Sequence, residues 1–148
     1  MGMIARLANT PVYLDTNVFI YALEGHDRFA AAARAVLQAV CQNPSCSFTS
    51  ELTLAEVLVH PLKHRNTNFA GNYRELLTDQ SKLTLVPISR HTLIEAAGLR
   101  ASTSVKLPDA IHMATALLSQ SQIIVTQDHG LPATGNIERL LLSTFCPL

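Results

Sequence analysis

The sequence contains no tryptophan, and aromatic residues occupy only 5% of its 148 positions. It is nonetheless 48% apolar and rich in Leu, Ala, Val and Ile. Such a chain is expected to build its core from aliphatic helices packed on aliphatic strands. No run approaches the ~20 apolar residues that span a bilayer. Met1 to Thr10 also lack the apolar core of a signal peptide. These absences point to a soluble, cytoplasmic protein with no membrane partner. The three cysteines, Cys41, Cys46 and Cys146, are an odd number that suits a reducing compartment better than a disulfide framework. No second pair follows Cys41 and Cys46, so they read as ordinary thiols and not as half of a zinc site. A glycine-rich phosphate loop is missing too, which leaves a nucleotide-binding role without support.

Net charge is zero, from 11 basic and 11 acidic side chains. That balance does not exclude nucleic acid. If four carboxylates are committed to a metal site, seven acidic side chains remain against 11 basic ones. Bound divalent metal then leaves a net-positive surface for phosphate.

Repeats, low-complexity tracts and linkers are absent, so residues 1–148 are expected to form one domain. Val12-Tyr13-Leu14 is a β-type run ending on Asp15, and helical character follows through Val18, Phe19, Tyr21 and Ala22 to Gly25. Phe29 to Val40 reads as a second helix, and Cys46 to Thr49 as a short strand. Ser50 is a favoured N-cap for a helix from Glu51 to about Leu62. A polar helix over Asn68 to Leu77 and a strand at Leu83 to Val86 come next. Helices over His91 to Ser102 and Pro108 to Leu118 lead to Ile123 to Thr126, an apolar strand expected to be buried on both faces. Leu140-Leu141-Leu142 is one more candidate strand. Short apolar strands alternating with helices predict a three-layer α/β/α sandwich with a mostly parallel central sheet. In such sheets ligands bind beyond the carboxyl ends of the strands, where strand order reverses.

Four acids lie where that rule directs attention. Asp15 and Asp128 each follow a predicted strand. Each also has an ordinary explanation, as a helix cap and as a turn residue respectively. Glu56 falls roughly 40° from Leu52 and 60° from Val59 around its helix, at the edge of the apolar face. A carboxylate there is desolvated at a cost unless a cation or donors receive it, or unless it snorkels outward toward His60 or Lys63. Asp109 follows Pro108 at the start of a helix that is apolar nearly all round, so its carboxylate sits at the end of a buried element. Together the four can converge on one pocket. Clustered like charges repel unless a cation neutralises them, and hard oxygen ligands select Mg²⁺ or Mn²⁺. Such a site suits phosphodiester hydrolysis.

The runs Val12 to Ile20, Ser50 to Val57, Leu107 to Ala116 and Thr126-Gln127-Asp128 resemble, in order and spacing, the four motifs of PIN-domain nucleases. The size resembles that of the VapC-type toxins of toxin–antitoxin pairs. The resemblance implies that Asp15, Glu56, Asp109 and Asp128 are metal-binding, catalytic acids and that Asn17 and Thr126 support them. It also implies a parallel sheet sandwiched by helices, a homodimer, Mg²⁺- or Mn²⁺-dependent endoribonuclease action on RNA, and restraint by a partner antitoxin. One position departs from the family pattern, which commonly has Asn before the fourth acid, where this chain has Gln127.

Gln127 keeps open the alternative of a catalytically silent PIN-like module that binds RNA or protein. A phosphoryl-transfer receiver or aspartyl phosphatase needs an early Asp pair or an Asp-x-Asp nucleophile, and Asp15-Thr16-Asn17 provides neither. His60 and His64 share the spacing of helical zinc ligands but lack an adjacent Glu base or third His, so a surface pair is expected. His112, one turn after Asp109, has the reach to approach the site, but a packed or hydrogen-bonded core histidine is the expected reading.

Overall fold

The computed structural model describes residues 2–146. Strands β1 (Val12–Leu14) and β4 (Ile123–Thr126) come from opposite ends of the chain, yet pair in parallel, with Val12 opposite Ile123 and Leu14 opposite Val125. Every residue of both is buried. Val12, Leu14, Ile123 and Val125 enter one apolar cluster, while Tyr13 and Ile124 enter another on the opposite face. Alternation with apolar groups on both sides is what a central strand covered by two layers requires.

The outer strands are β2 (Ser47–Ser50), β3 (Thr84–Val86) and β5 (Glu138–Leu141). All five strands pair in parallel, in the order β3-β2-β1-β4-β5. One layer of helices comprises α1 (Met3–Leu7), α2 (Thr16–Glu24), α3 (Ala30–Val40) and α5 (Thr67–Thr78). The other comprises α6 (Arg90–Ser102) and α7 (Leu107–Leu118). The expected three-layer α/β/α sandwich is therefore present, with a sheet that is wholly parallel. Among the described residues no helix is long and apolar enough to cross a membrane.

Helix α4 (Glu51–Lys63) belongs to neither layer alone, for Val57 packs into one cluster and Leu52 against the other. Glu56 lies between those two commitments, which explains its place at the edge of the apolar face. Local chemistry sets the helix ends. The Asp15 and Ser50 side chains accept from the backbone N–H of Thr16 and Leu52, and Gly25 ends α2 in a left-handed conformation at φ +75°. Helix α1 was not expected. Five residues are too few to show a period, and α1 is secured by packing on α3, the buried Leu7 and an Arg6–Glu138 ion pair to β5.

Strand order reverses between β1 and β4: β2 and β3 lie to one side, β5 to the other. In parallel sheets of this kind, ligands bind beyond the carboxyl ends of the strands at such a point. Ile124, 3% exposed between the sheet and α7, tests this packing. Ile124→Ala is expected to lower unfolding free energy by about 2–5 kcal/mol, read from urea denaturation.

Candidate active site

Asp15 stands one residue beyond β1, and its N–H donates to the Val125 carbonyl at 3.0 Å, extending the ladder to β4. Its carboxylate is 6% exposed. Oδ1 accepts from the Thr16 N–H at 2.8 Å and Oδ2 from the Thr126 hydroxyl at 2.7 Å. Thr126 Oγ1 in turn accepts from the Asp128 N–H at 2.9 Å. Asn17 ties the same two loops, with Oδ1 accepting from the Gln127 N–H at 3.2 Å and Nδ2 lying 3.5 Å from Thr126 Oγ1. Asp15, Asn17, Thr126 and Asp128 thus form one hydrogen-bonded assembly where strand order reverses.

Glu56 reaches the same place from α4. Its Oε1 accepts from the Thr16 hydroxyl at 2.7 Å and from His112 Nε2–H at 2.6 Å. It does not snorkel toward Lys63 or His60. His112 is 1% exposed, its Nδ1 lies 2.6 Å from the Tyr13 hydroxyl, and its Nε2 is 3.9 Å from Asp15 Oδ1. Burial opposes charge on His112, but the Glu56 hydrogen bond and the charges of Asp15, Glu56 and Asp109 outweigh it and raise its pKa. Burial likewise pushes the Glu56 carboxyl up, and the His112 hydrogen bond and charge with the Thr16 hydroxyl pull it lower than usual. A chain of hydroxyls continues from Thr16 through Thr53 to Thr49, which donates to the Leu14 carbonyl at 2.8 Å.

Among the described residues Asp109 has no such side-chain partner. Its pKa is raised by partial burial and then by the charges of Asp128, Asp15 and Glu56, with His112 opposing. All four acids therefore share one field, although they come from four separate segments. Asp128 Oδ1 closes its own turn by accepting from the Gly130 N–H at 2.8 Å. A Cβ at Gly130 would stand 3.2 Å from that oxygen, so the turn suits glycine. The Gln127 side chain bridges outward from this turn: its Oε1 accepts from the Ser143 N–H at 3.0 Å, and its Nε2 lies 3.3 Å from His129 Nε2. Glu51 lies apart, accepting weakly from the Ile88 N–H and lining a cleft of about 860 Å³ beside β3 that contains none of the four acids. His60 and His64 are an exposed pair with ring centroids 4.2 Å apart.

The PIN domain family model matches residues 12–137. The chain belongs to the PIN domain family. No curated protein matches the sequence. Among solved structures it is similar to a toxin–antitoxin complex from Klebsiella pneumoniae, at 26% identity over 86% of this chain and 98% of that one, with a TM-score of 0.64. It also shares its fold with VapBC2 from Rickettsia felis, bound to a DNA fragment from their promoter (17% identity, 88% and 97% covered, TM-score 0.69). A third relative in fold is the sarcin-ricin loop cleaving toxin VapC20 of Mycobacterium tuberculosis (15%, 76% and 86%, TM-score 0.63).

For a PIN domain the group to weigh is a divalent cation. As they stand, no three Asp, Glu, His or Cys side chains among the described residues converge closely enough to hold one. The donor set nevertheless fits a hard cation: oxygen acids in one field, with Asp109 destabilised by three negative neighbours. Of the groups involved, the sequence brought Asp15, Glu56, Asp109, Asp128, Asn17 and Thr126 forward. It gave no comparable prominence to Tyr13, Thr16, Thr49 and Thr53, which look like ordinary strand and helix residues.

Two outcomes follow for the metal-free protein. Asp109→Asn removes a charge that its neighbours repel, so its melting temperature is expected to lie above wild type by up to a few degrees. The His112–Glu56 pair has a pH window. The histidine contribution is complete below its unfolded pKa of about 6.5 and is lost as pH rises through the raised folded value. The Glu56 contribution is complete above its unfolded value of about 4.3 and is lost as pH falls through the lowered one. Urea unfolding of wild type and His112→Gln is therefore expected to differ most between about pH 4.5 and 6.5 and to converge toward alkaline pH.

Proposed function

We propose that this protein is a metal-dependent endoribonuclease, the toxin of a toxin–antitoxin pair, in which Asp15, Glu56, Asp109 and Asp128 hold Mg²⁺ or Mn²⁺. The observation that carries the reading is that hydrogen bonds join Asp15, Asn17, Thr126, Asp128 and, through Thr16, Glu56 at the point where strand order reverses, with Asp109 beside them. A cluster of four acids repels an RNA phosphate unless a cation intervenes. When bound, the cation supplies charge neutralisation, polarises the phosphodiester and lowers the pKa of an attacking water.

The chain's own residues contribute position. Asp15 is fixed by the Thr16 N–H and the Thr126 hydroxyl, so its two oxygens cannot swing away. Asn17 bridges to the backbone of Gln127 and keeps the β1 and β4 loops in register. Burial of β1, β4 and α7 behind these groups keeps bulk water out from beneath the site. Similarity to toxin–antitoxin complexes supports a protein antitoxin as partner, and a homodimer belongs to the same reading. Gln127, the residue that kept a silent binding module open, turns its side chain to Ser143 and leaves the Asp128 turn intact.

The test is cleavage of a pool of structured RNAs by antitoxin-free protein, with Mn²⁺ or with EDTA. Cleavage is expected only with metal. In Asp15→Asn and Asp109→Asn it is expected to fall by at least the ~10–100-fold seen when a group behind a metal ligand is changed, with the fold retained by circular dichroism. Undiminished activity in both variants overturns the assignment.

A further inference from the structure

We propose that His112 is a positioning residue for Glu56, anchored in turn by Tyr13, and that this buried chain sets which Glu56 oxygen faces the cation site. The inference rests on the metal-dependent reading above and deepens it. Both nitrogens of His112 are engaged: Nε2–H donates to Glu56 Oε1 at 2.6 Å, and Nδ1 is 2.6 Å from the Tyr13 hydroxyl. Tyr13 is fully buried in β1, and the two rings pack edge to face with centroids 5.9 Å apart. The imidazole is thus fixed at both ends, on a helix flanked by buried residues.

Glutamate has three rotatable side-chain bonds, and Glu56 stands on a partly open helix face. A single donor would leave its carboxylate free to pivot. Here the Thr16 hydroxyl and His112 both donate to Oε1, while Oε2 has no hydrogen-bond partner among the described residues. Two donors from different elements, α2 and α7, define the carboxylate plane. Oε2 is then the oxygen left for a cation. Because His112 Nε2 also lies 3.9 Å from Asp15 Oδ1, the histidine holds Glu56 beside Asp15. A histidine kept for packing alone would need partners too, so the experiment must separate filling space from aiming Glu56.

Mn²⁺ binding is measured by isothermal titration on folded wild type, His112→Leu, His112→Gln, Tyr13→Phe, Glu56→Gln and the double variant His112→Leu/Glu56→Gln. Removing the donor in His112→Leu is expected to weaken binding about 10–100-fold. His112→Gln, which restores an N–H toward Oε1, should regain most of it, and Tyr13→Phe should show a smaller loss. In the Glu56→Gln background, His112→Leu is expected to add nothing, the mark of action through Glu56. Three results would each overturn the proposal: wild-type affinity in His112→Leu, no recovery with Gln, or an undiminished further loss in the Glu56→Gln background. If His112→Leu does not fold, Tyr13→Phe carries the comparison, since it keeps the ring and removes only the anchoring hydroxyl, and unchanged affinity there overturns the chain. Wild type that takes up no Mn²⁺ overturns the metal reading itself, a result visible before any variant is compared.

Discussion

A carboxylate 6% exposed at the end of a central strand is tolerated only where its surroundings supply what water would have supplied, and Asp15 imposes that demand on the fold. An uncompensated buried charge costs several kcal/mol. The donors arrive from two directions: Thr16 N–H from the start of α2, and the Thr126 hydroxyl from the end of β4. The second is available only because β4 pairs with β1 in a register that brings Val125 opposite Leu14. That register lets Thr126 bond both Asp15 and the Asp128 N–H and lets Asn17 reach Gln127. Sheet order, loop geometry and site composition thus follow from accommodating one acid.

The remaining acids divide the electrostatic burden unequally. Glu56 is satisfied internally by His112 and Thr16. Asp128 has its own turn. Asp109 is left facing three negative neighbours with only the distant help of His112. Internal compensation thus stops short of Asp109.

Much of the architecture was legible because it depends on local pattern. The apolar runs at Val12–Leu14 and Ile123–Thr126, Ser50 before α4, and Pro108 opening α7 all announce themselves within a few residues. Helix α1 did not, because its stability comes from packing on α3 and from Glu138 at the far end of the chain. The acids were legible through their positions at strand and helix ends. The groups that aim them were less so. His112 was expected in the core, yet its partners Tyr13 and Glu56 are 99 and 56 positions away, and only the folded chain unites them. Gln127 is a second such case. The sequence marks it as a departure in side chain, and only the folded chain shows where that side chain goes, to Ser143, 16 positions on, and to His129.

The two margins of the sheet have a consequence of another kind. β3 is three residues long and is closed by Pro87, which lacks a backbone donor. β5 begins at the exposed Glu138, held by Arg6. An all-parallel sheet with long bare borders is an open template on which further chains can add strand by strand. Here one border is too brief and the other starts with a charge, so the sheet offers little purchase for such growth. The fold is thereby guarded against runaway self-association at its flanks.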